Sequence, residues 1–71
     1  MFDEKIYVLF NTKEGGFLTA SYEAISFSSE LLYAMPFTSN SKALDYLHST
    51  FKVEVYKNFV VKEFALSNIM P

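Results

Sequence analysis

The sequence contains no cysteine, arginine, tryptophan or glutamine, and its one histidine is His48. Without cysteine no disulfide bond can form, and a lone histidine cannot supply the Cys/His ligand set of a structural zinc site. We therefore predict that the protein uses neither a metal nor a cofactor, and that its stability comes from side-chain packing. The absence of cysteine also fits a reducing cytoplasm.

The charged residues form no cluster of either sign. Six lysines and eight acidic residues are spread along the chain, and the formal net charge is −2. Proteins that bind nucleic acid usually present a basic stripe and use arginine for paired contacts to bases or phosphates. A mimic of DNA would instead need a dense acidic face. Direct binding of nucleic acid is therefore not expected.

Long apolar stretches are also missing. No segment approaches the ~18 consecutive apolar residues that a membrane-spanning helix requires. The first five residues, MFDEK, are acidic before Ile6, whereas a signal peptide begins with basic residues and continues into a longer apolar stretch. We expect no membrane partner and a cytoplasmic location.

Aromatic rings, in contrast, are abundant, with eight Phe and five Tyr among 71 residues. A chain of this length is expected to form a single domain, residues 1–71, and to bury only roughly 60% of the surface of its unfolded chain. We predict that so small a core does not hold every ring. Rings supply large contact areas but little acid, base or metal chemistry, so the composition favours a protein that works by contact over an enzyme.

The first segments of the chain predict a β-hairpin. Residues 5–10 (KIYVLF) are rich in β-branched and aromatic residues, as strands are. The polar residues that follow end in Gly15 and Gly16, which tolerate the positive φ of hairpin loops, and residues 17–20 resume an extended pattern. A phosphate-binding loop would need more glycines and a following helix. The structural role of the two glycines is therefore preferred.

The pattern is weakest in residues 21–36. Residues 23–27 fit a short strand. Ser28 or Ser29 is suited to cap a single helical turn after it, which Pro36 would end.

A longer helix is predicted over residues 42–50. The polar run at residues 39–41 is typical of a helix N-cap. Leu44, Leu47 and Phe51 recur at i, i+3 and i+7, which gives the helix one apolar stripe. We expect this stripe to dock on the sheet.

The remainder of the chain predicts strands. Residues 51–56 (FKVEVY) alternate with period two, although a continued helix is the alternative. Asn58 marks a bend, residues 59–66 (FVVKEFAL) form the final strand, and residues 67–71 form a frayed tail. The predicted fold class is α+β: a small, mostly antiparallel sheet with one main α-helix packed on it.

His48 and Asp45 are the candidates for catalysis. A carboxylate that orients a histidine is half of a catalytic constellation, but the same pair is common on ordinary helix surfaces. The other carboxylates show no tight pairing in sequence for general acid–base chemistry, and a short chain has little room for a deep pocket. We predict that the protein is not an enzyme. A minimal enzyme that depends on His48 remains a remote alternative.

The first and last predicted strands are largely apolar on both faces. One helix covers one face of a small sheet, so either residues 21–36 cover the second face or this face contacts a partner. The sequence leaves both readings open. Tyr and Phe are enriched at the centres of protein interfaces. The candidate partner-binding residues are Tyr7, Leu9, Tyr22, Tyr33, Tyr56 and Phe64.

Three segments resemble small uncharacterised phage and prophage accessory proteins: residues 14–18 (EGGFL), 33–39 (YAMPFTS) and 42–47 (KALDYL). Such proteins combine a hairpin, a short Ala-x-x-Phe-x-Ser/Thr passage, a helix and a closing strand. The resemblance implies a protein that binds a host protein and disables or redirects it. It assigns a role to no individual residue.

The leading prediction is a non-enzymatic protein-binding module, encoded by a phage and located in the host cytoplasm. It would inhibit a host defence or nucleic-acid-processing protein by covering its surface. The alternative is a homodimeric accessory protein whose surplus rings are buried between two copies. The sequence does not distinguish a larger host protein from a second copy as the partner.

Overall fold

In the residues that the computed structural model describes, 4–19 and 25–65, four antiparallel strands form one sheet, and helices pack on one of its faces. The elements are β1 (Lys5–Asn11), β2 (Gly16–Leu18), β3 (Phe27–Ser28), a 3₁₀ turn (Leu31–Tyr33), α1 (Asn40–Thr50), α2 (Val53–Tyr56) and β4 (Phe59–Ala65). The strand order is β3-β2-β1-β4. The prediction of an α+β fold with one main helix is confirmed. Predictions for residues 20–24 and 66–71 lie outside the described residues.

The predicted hairpin joins β1 to β2 and has Asn11 at its turn. Asn11 pairs with Gly16 in register, and the N–H of Gly15 donates to the Asn11 backbone carbonyl at 2.8 Å. The Asn11 side-chain carbonyl accepts the N–H groups of Lys13 at 2.9 Å and Glu14 at 2.8 Å. The side chain thus satisfies two backbone donors that the turn leaves without a strand partner.

The two glycines of the turn have different roles. Gly15 has a φ of +70°, in the left-handed region that glycine adopts without a steric penalty. Gly16 lies in β2, where an added Cβ would approach the Phe27 Cβ to 3.1 Å and the Ser28 backbone oxygen to 3.2 Å. A side chain at position 16 would therefore require β3 to shift by a few tenths of an ångström.

β4 pairs with β1 along its whole length, from Lys5 opposite Ala65 to Asn11 opposite Phe59. The predicted final strand is thus confirmed. On the other side of β1, β2 spans only three residues, so the first half of β1 needs a different neighbour. The backbone of Phe37 fills this place, because Tyr7 and Phe37 exchange two hydrogen bonds of 2.9 and 2.8 Å.

The described part of the segment with the weakest pattern extends the sheet. The predicted strand over residues 23–27 overlaps the observed β3 (Phe27–Ser28) only at Phe27 among the described residues. The predicted single helical turn is present as the 3₁₀ turn, but its N-cap is Glu30, so the predicted cap at Ser28 or Ser29 is wrong. After the turn, Ala34 forms a bridge with Thr19, and the Met35 N–H donates to the Leu18 carbonyl at 2.9 Å. Residues 34–37 therefore lie alongside β2 and β1.

α1 begins at the predicted polar run. The Ser39 hydroxyl accepts the N–H of Lys42 at 3.1 Å, which caps the helix. The helix turns Ala43 and Leu47 toward the sheet, and Leu44 packs beside them. The buried core cluster consists of Leu9, Leu18, Ala43, Leu47 and Phe59. The helices therefore cover the face of the sheet that carries Leu9.

The predicted strand over residues 51–56 is wrong, and so is the alternative of one continuous helix. The chain leaves α1 at Phe51 and passes through an extended residue into α2. A strand would place Phe51, Val53 and Val55 on one face, but Val53 and Val55 are exposed, while Phe51 and Tyr56 pack against the core. The short helix lets both rings pack against the core while Val53 and Val55 remain exposed.

Candidate protein-binding surfaces

The sheet face opposite the helices carries a cluster of three rings, from Phe10, Phe17 and Phe64, which we call the ring cluster. The Phe10 and Phe17 centroids lie 5.2 Å apart with the rings at 70°, and those of Phe17 and Phe64 lie 6.1 Å apart at 76°. These edge-to-face arrangements are favourable for aromatic pairs. Val60, opposite Phe10 in register, is 43% exposed on the same face. Both described helices pack on the other face of the sheet.

Lys62 partly covers the ring cluster. Its Nζ lies 4.4 Å from the centroid of the Phe10 ring, within the range of a cation–π contact. Val8, opposite Lys62 in register, is on the same face and is fully buried. This face is therefore a mixed surface of half-buried rings, one exposed valine and an ammonium group.

The 3₁₀ turn carries the most exposed large apolar side chains of the described residues. Leu32 is 69% exposed and Tyr33 is 58% exposed. The turn is held by hydrogen bonds from the Tyr33 N–H to the Glu30 carbonyl at 3.2 Å and from the Ala34 N–H to the Leu31 carbonyl at 3.0 Å. Ala34 itself is buried. Two adjacent apolar side chains are thus presented to solvent from a turn anchored on the sheet.

The predicted contact residues fall in different environments. Tyr33 is exposed, and Phe64 is half-buried in the ring cluster. Tyr56 is half-buried on the helix side, with its ring centroid 4.7 Å from that of His48. Tyr7 is half-buried and packs against the core. Tyr22 lies outside the described residues.

Leu9 does not fit the predicted contact set. It is fully buried in the core cluster, so a partner cannot reach it in the folded domain. The sequence could not separate the two faces of β1 because both are apolar, and the helices cover the face that carries Leu9. Leu32 is absent from the predicted contact set because it is neither aromatic nor part of a predicted apolar strand. Leu32 lies beside Tyr33 in a turn that is too short to bury both side chains, and this position indicates that Leu32 is exposed.

Most of the rings are half-buried. Of the eleven Phe and Tyr residues in the described part of the chain, Phe59 is buried, Tyr33 is exposed and nine are intermediate. A half-buried ring packs one side against the protein and shows the remainder to solvent. The ring surface available to a partner is therefore distributed, and among the eleven described rings only Tyr33 exposes most of its side chain.

Tyr7, Glu63 and Lys5 form a polar cluster. Tyr7 and Glu63 lie opposite each other in β1 and β4, and the Lys5 Nζ is 3.3 Å from the Glu63 Oε2. A hydrogen bond from the Tyr7 hydroxyl and the nearby Lys5 ammonium lower the pKa of Glu63, while the same hydrogen bond raises the pKa of Tyr7. A carboxylate with a lowered pKa is a weaker base and a phenol with a raised pKa is a weaker acid. Neither the Glu63 carboxylate nor the Tyr7 phenol is therefore suited to transfer protons near neutral pH.

This cluster predicts a specific dependence of stability on pH. Because the pKa of Glu63 is lower in the folded state than the ordinary value of 4.5, its ionised form stabilises the fold above that value, and the contribution is lost as the pH falls through the lowered pKa. We expect the stability difference between wild type and Tyr7→Phe to be present at pH 7 and to shrink below the ordinary value. Urea unfolding at pH 7 and pH 3 measures this difference.

The control is the titration of Glu63 itself, followed by NMR of its side-chain carboxyl. In Tyr7→Phe, the pKa of Glu63 should rise toward the ordinary value, although Lys5 remains in place. An unchanged titration midpoint in this variant would contradict the hydrogen bond.

His48 is exposed on α1, and its ring packs beside that of Tyr56. Within residues 4–19 and 25–65, no ion pair joins His48 to Asp45, and no group of three or more His, Asp or Glu residues is placed to hold a metal ion. A surface recess of about 410 Å³ is lined by Glu4, Lys5, Ile6 and Thr38, and His48 is not part of it. The described geometry thus gives His48 no orienting partner.

Within the described part of the chain, no helix is long and apolar enough to span a membrane. No family model matches the chain, and no curated protein or solved structure matches it either.

Proposed function

We propose that the protein is a non-enzymatic module that binds another protein through the surface around Leu32 and Tyr33 and blocks the partner by covering it. The observation that carries this proposal is the exposure of these two adjacent apolar side chains, 69% and 58%. Removing one large apolar side chain from water is worth about 1.5–3 kcal/mol, so a partner that covers both gains substantial binding energy.

The anchoring of the turn adds to this argument. The bridge between Ala34 and Thr19 and the 2.9 Å hydrogen bond from Met35 to Leu18 hold the backbone that follows the turn. A surface that is already ordered loses less conformational entropy when it binds. Tyrosine is also among the residue types that dominate binding energy at interfaces. Tyr33 is therefore the expected anchor, with Leu32 as its apolar neighbour.

The resemblance to phage accessory proteins extends the proposal to the nature of the partner. On this reading the partner is a larger protein of the host cell, a defence or nucleic-acid-processing protein, whose activity falls when its surface is covered. The mode of action needs only contact, which agrees with the small size of the chain and its abundance of rings.

Tyr33→Ala should weaken capture of the partner by more than about tenfold, because an aromatic anchor supplies a large part of the binding energy. The measurement is capture from a lysate of the cell in which the protein naturally occurs, with immobilised wild type and variants and quantification by mass spectrometry. Tyr33→Phe should retain most of the binding, because it keeps the ring.

Val53→Ala is the matched control, since Val53 is 54% exposed but lies on α2. It should leave capture unchanged. All three variants should unfold at the wild-type temperature, because the altered side chains are exposed. Equal capture by wild type and Tyr33→Ala would contradict the assignment of this surface.

A second candidate function is self-association through the ring cluster, supported by the exposed Val60 on that face. Under this alternative, sedimentation should show a dimer at micromolar concentration, and Val60→Glu should dissociate it by placing a carboxylate among apolar side chains. A wild-type monomer at that concentration would exclude this candidate.

A further inference from the structure

The outer edge of β4 presents backbone groups that have no partner within the described residues. Tyr7 exchanges its backbone hydrogen bonds with Phe37, on the side of β1 that faces away from β4. Antiparallel pairs alternate between hydrogen-bonded and non-hydrogen-bonded positions. Glu63, opposite Tyr7, therefore directs its N–H and C=O groups away from β1. The same alternation applies to every second residue of β4: Phe59, Val61 and Ala65.

A hydrogen bond just beyond the strand supports this assignment. The N–H of Thr12 donates to the carbonyl of Asn58 at 2.8 Å, one pair beyond Asn11 and Phe59. That bond makes the next pair inward a non-hydrogen-bonded one, as the alternation requires. Among residues 4–19 and 25–65, β4 is thus an edge strand of seven residues with no outer neighbour, long enough to add a strand from another chain.

The two charged side chains of β4, Lys62 and Glu63, differ in their contacts. The Glu63 carboxylate contacts Lys5 at 3.3 Å, whereas Lys62 has no ion pair among the described residues and contacts the ring of Phe10. Lys62 is the midpoint of β4. Natural edge strands often carry a lysine at such a position, where it opposes pairing between identical edges.

Full antiparallel overlap of β4 with β4 of a second copy would place Lys62 opposite Lys62. Like charges directly opposite each other destabilise a cross-strand pair, and opposite charges stabilise it. A strand with a carboxylate at this position is therefore favoured over a second copy. Val60 and Phe64 lie two residues to either side on the same face, where they would meet apolar side chains of the incoming strand.

We propose that the outer edge of β4 binds an extended segment of a different protein, antiparallel to β4, with a carboxylate opposite Lys62 and apolar residues two positions to either side. This inference rests on the proposed function of protein binding and specifies the chemistry of the segment that is bound. Lys62 both selects this segment and excludes a second copy of the chain.

β4 of a variant of this protein can serve as the incoming strand in the test. In the Lys62→Glu variant, β4 has the required carboxylate at its midpoint and keeps its apolar neighbours. Wild type, the variant and their equimolar mixture are compared by sedimentation velocity at low salt. Each protein alone should be monomeric, and the mixture should form a heterodimer with a dissociation constant several-fold below that of either protein alone. Salt at about 1 M should remove most of this preference, because the screening length falls to about 3 Å.

Two further variants test the role of the charge at position 62 and the role of the outward backbone N–H groups. Lys62→Gln has a similar size and no charge, so its mixture with wild type should show no preference. Val61→Pro, added to Lys62→Glu, removes an outward N–H but no hydrogen bond to β1, and should abolish the heterodimer. If Lys62→Glu does not fold, as judged by circular dichroism, Lys62→Asp supplies the carboxylate.

A mixture no tighter than its separate components overturns the proposal, and so does a wild-type dimer that Val61→Pro dissociates. Neither result affects capture through Tyr33. Failure of the edge-strand inference and failure of the proposed function are therefore distinguishable.

Discussion

Leu9→Ala should lower the free energy of unfolding by about 2–5 kcal/mol. Leu9 has no exposed surface and lies in the core cluster with Leu18 of β2 and Leu47 of α1. Removing its terminal carbons leaves a cavity that the surrounding strands and helix fill only partly. Because small domains have a total stability of about 5–15 kcal/mol, this loss is a large share of the whole.

The chain contains a matched control for this substitution. Leu32→Ala removes the same atoms from a side chain that is mostly exposed, so its effect on stability should lie within about 0.5 kcal/mol. Urea unfolding followed by far-UV circular dichroism measures both variants. A Leu9→Ala protein as stable as wild type would mean that the helices do not pack on this face of the sheet.

Asn11→Ala should destabilise the fold by about 1–3 kcal/mol, the usual range when polar groups lose their hydrogen-bond partner. Asn11 is 5% exposed, and its side-chain carbonyl accepts the N–H groups of Lys13 and Glu14. Alanine leaves both donors without this acceptor at the start of the turn. The hairpin register between β1 and β2 then loses its local support.

Asn11→Asp keeps an acceptor oxygen at the same position and should retain most of the stability. Asn40→Ala, at an exposed position at the start of α1, should have little effect. Amide hydrogen exchange of Lys13 and Glu14 provides a local measurement and should be faster in Asn11→Ala alone. Unchanged exchange and stability in this variant would show that the side chain does not hold the turn.

The elements that the sequence predicted well are those specified by neighbouring residues. β1 and β4 are runs of β-branched and aromatic residues, the hairpin has glycine where φ is positive, and α1 starts at a serine that caps it. In each of these the residue types that favour the element lie within a few positions of each other. The local pattern therefore carries the information.

The wrong predictions concern segments whose structure depends on contacts with residues that are distant in sequence. Residues 51–56 alternate like a strand, but they include α2, and Phe51 and Tyr56 pack against a core formed by residues that are distant in sequence. The pairing of Phe37 with Tyr7 joins residues thirty positions apart, which no local pattern indicates.

The exposure of the candidate contact residues also depends on tertiary structure. Leu9 and Leu32 are the same residue type, yet one is fully buried and the other is mostly exposed. The difference depends on where the helices dock, because β1 is apolar on both faces and the choice of face is a tertiary effect. The abundance of rings indicated a contact protein, but only the fold separates Tyr33 from the rings that support the core.

The pairing of β1 with β4 brings residues 5 and 65 side by side. Closing so long a loop costs entropy before the first cross-strand contact forms, and folding slows when contacts join distant parts of a chain. On the ribosome, β1 and β2 emerge before β4. β1 therefore cannot pair with β4 until β4 has left the exit tunnel. The sheet is therefore completed only when β4 is available, and the flank of β1 lacks its long neighbour until then.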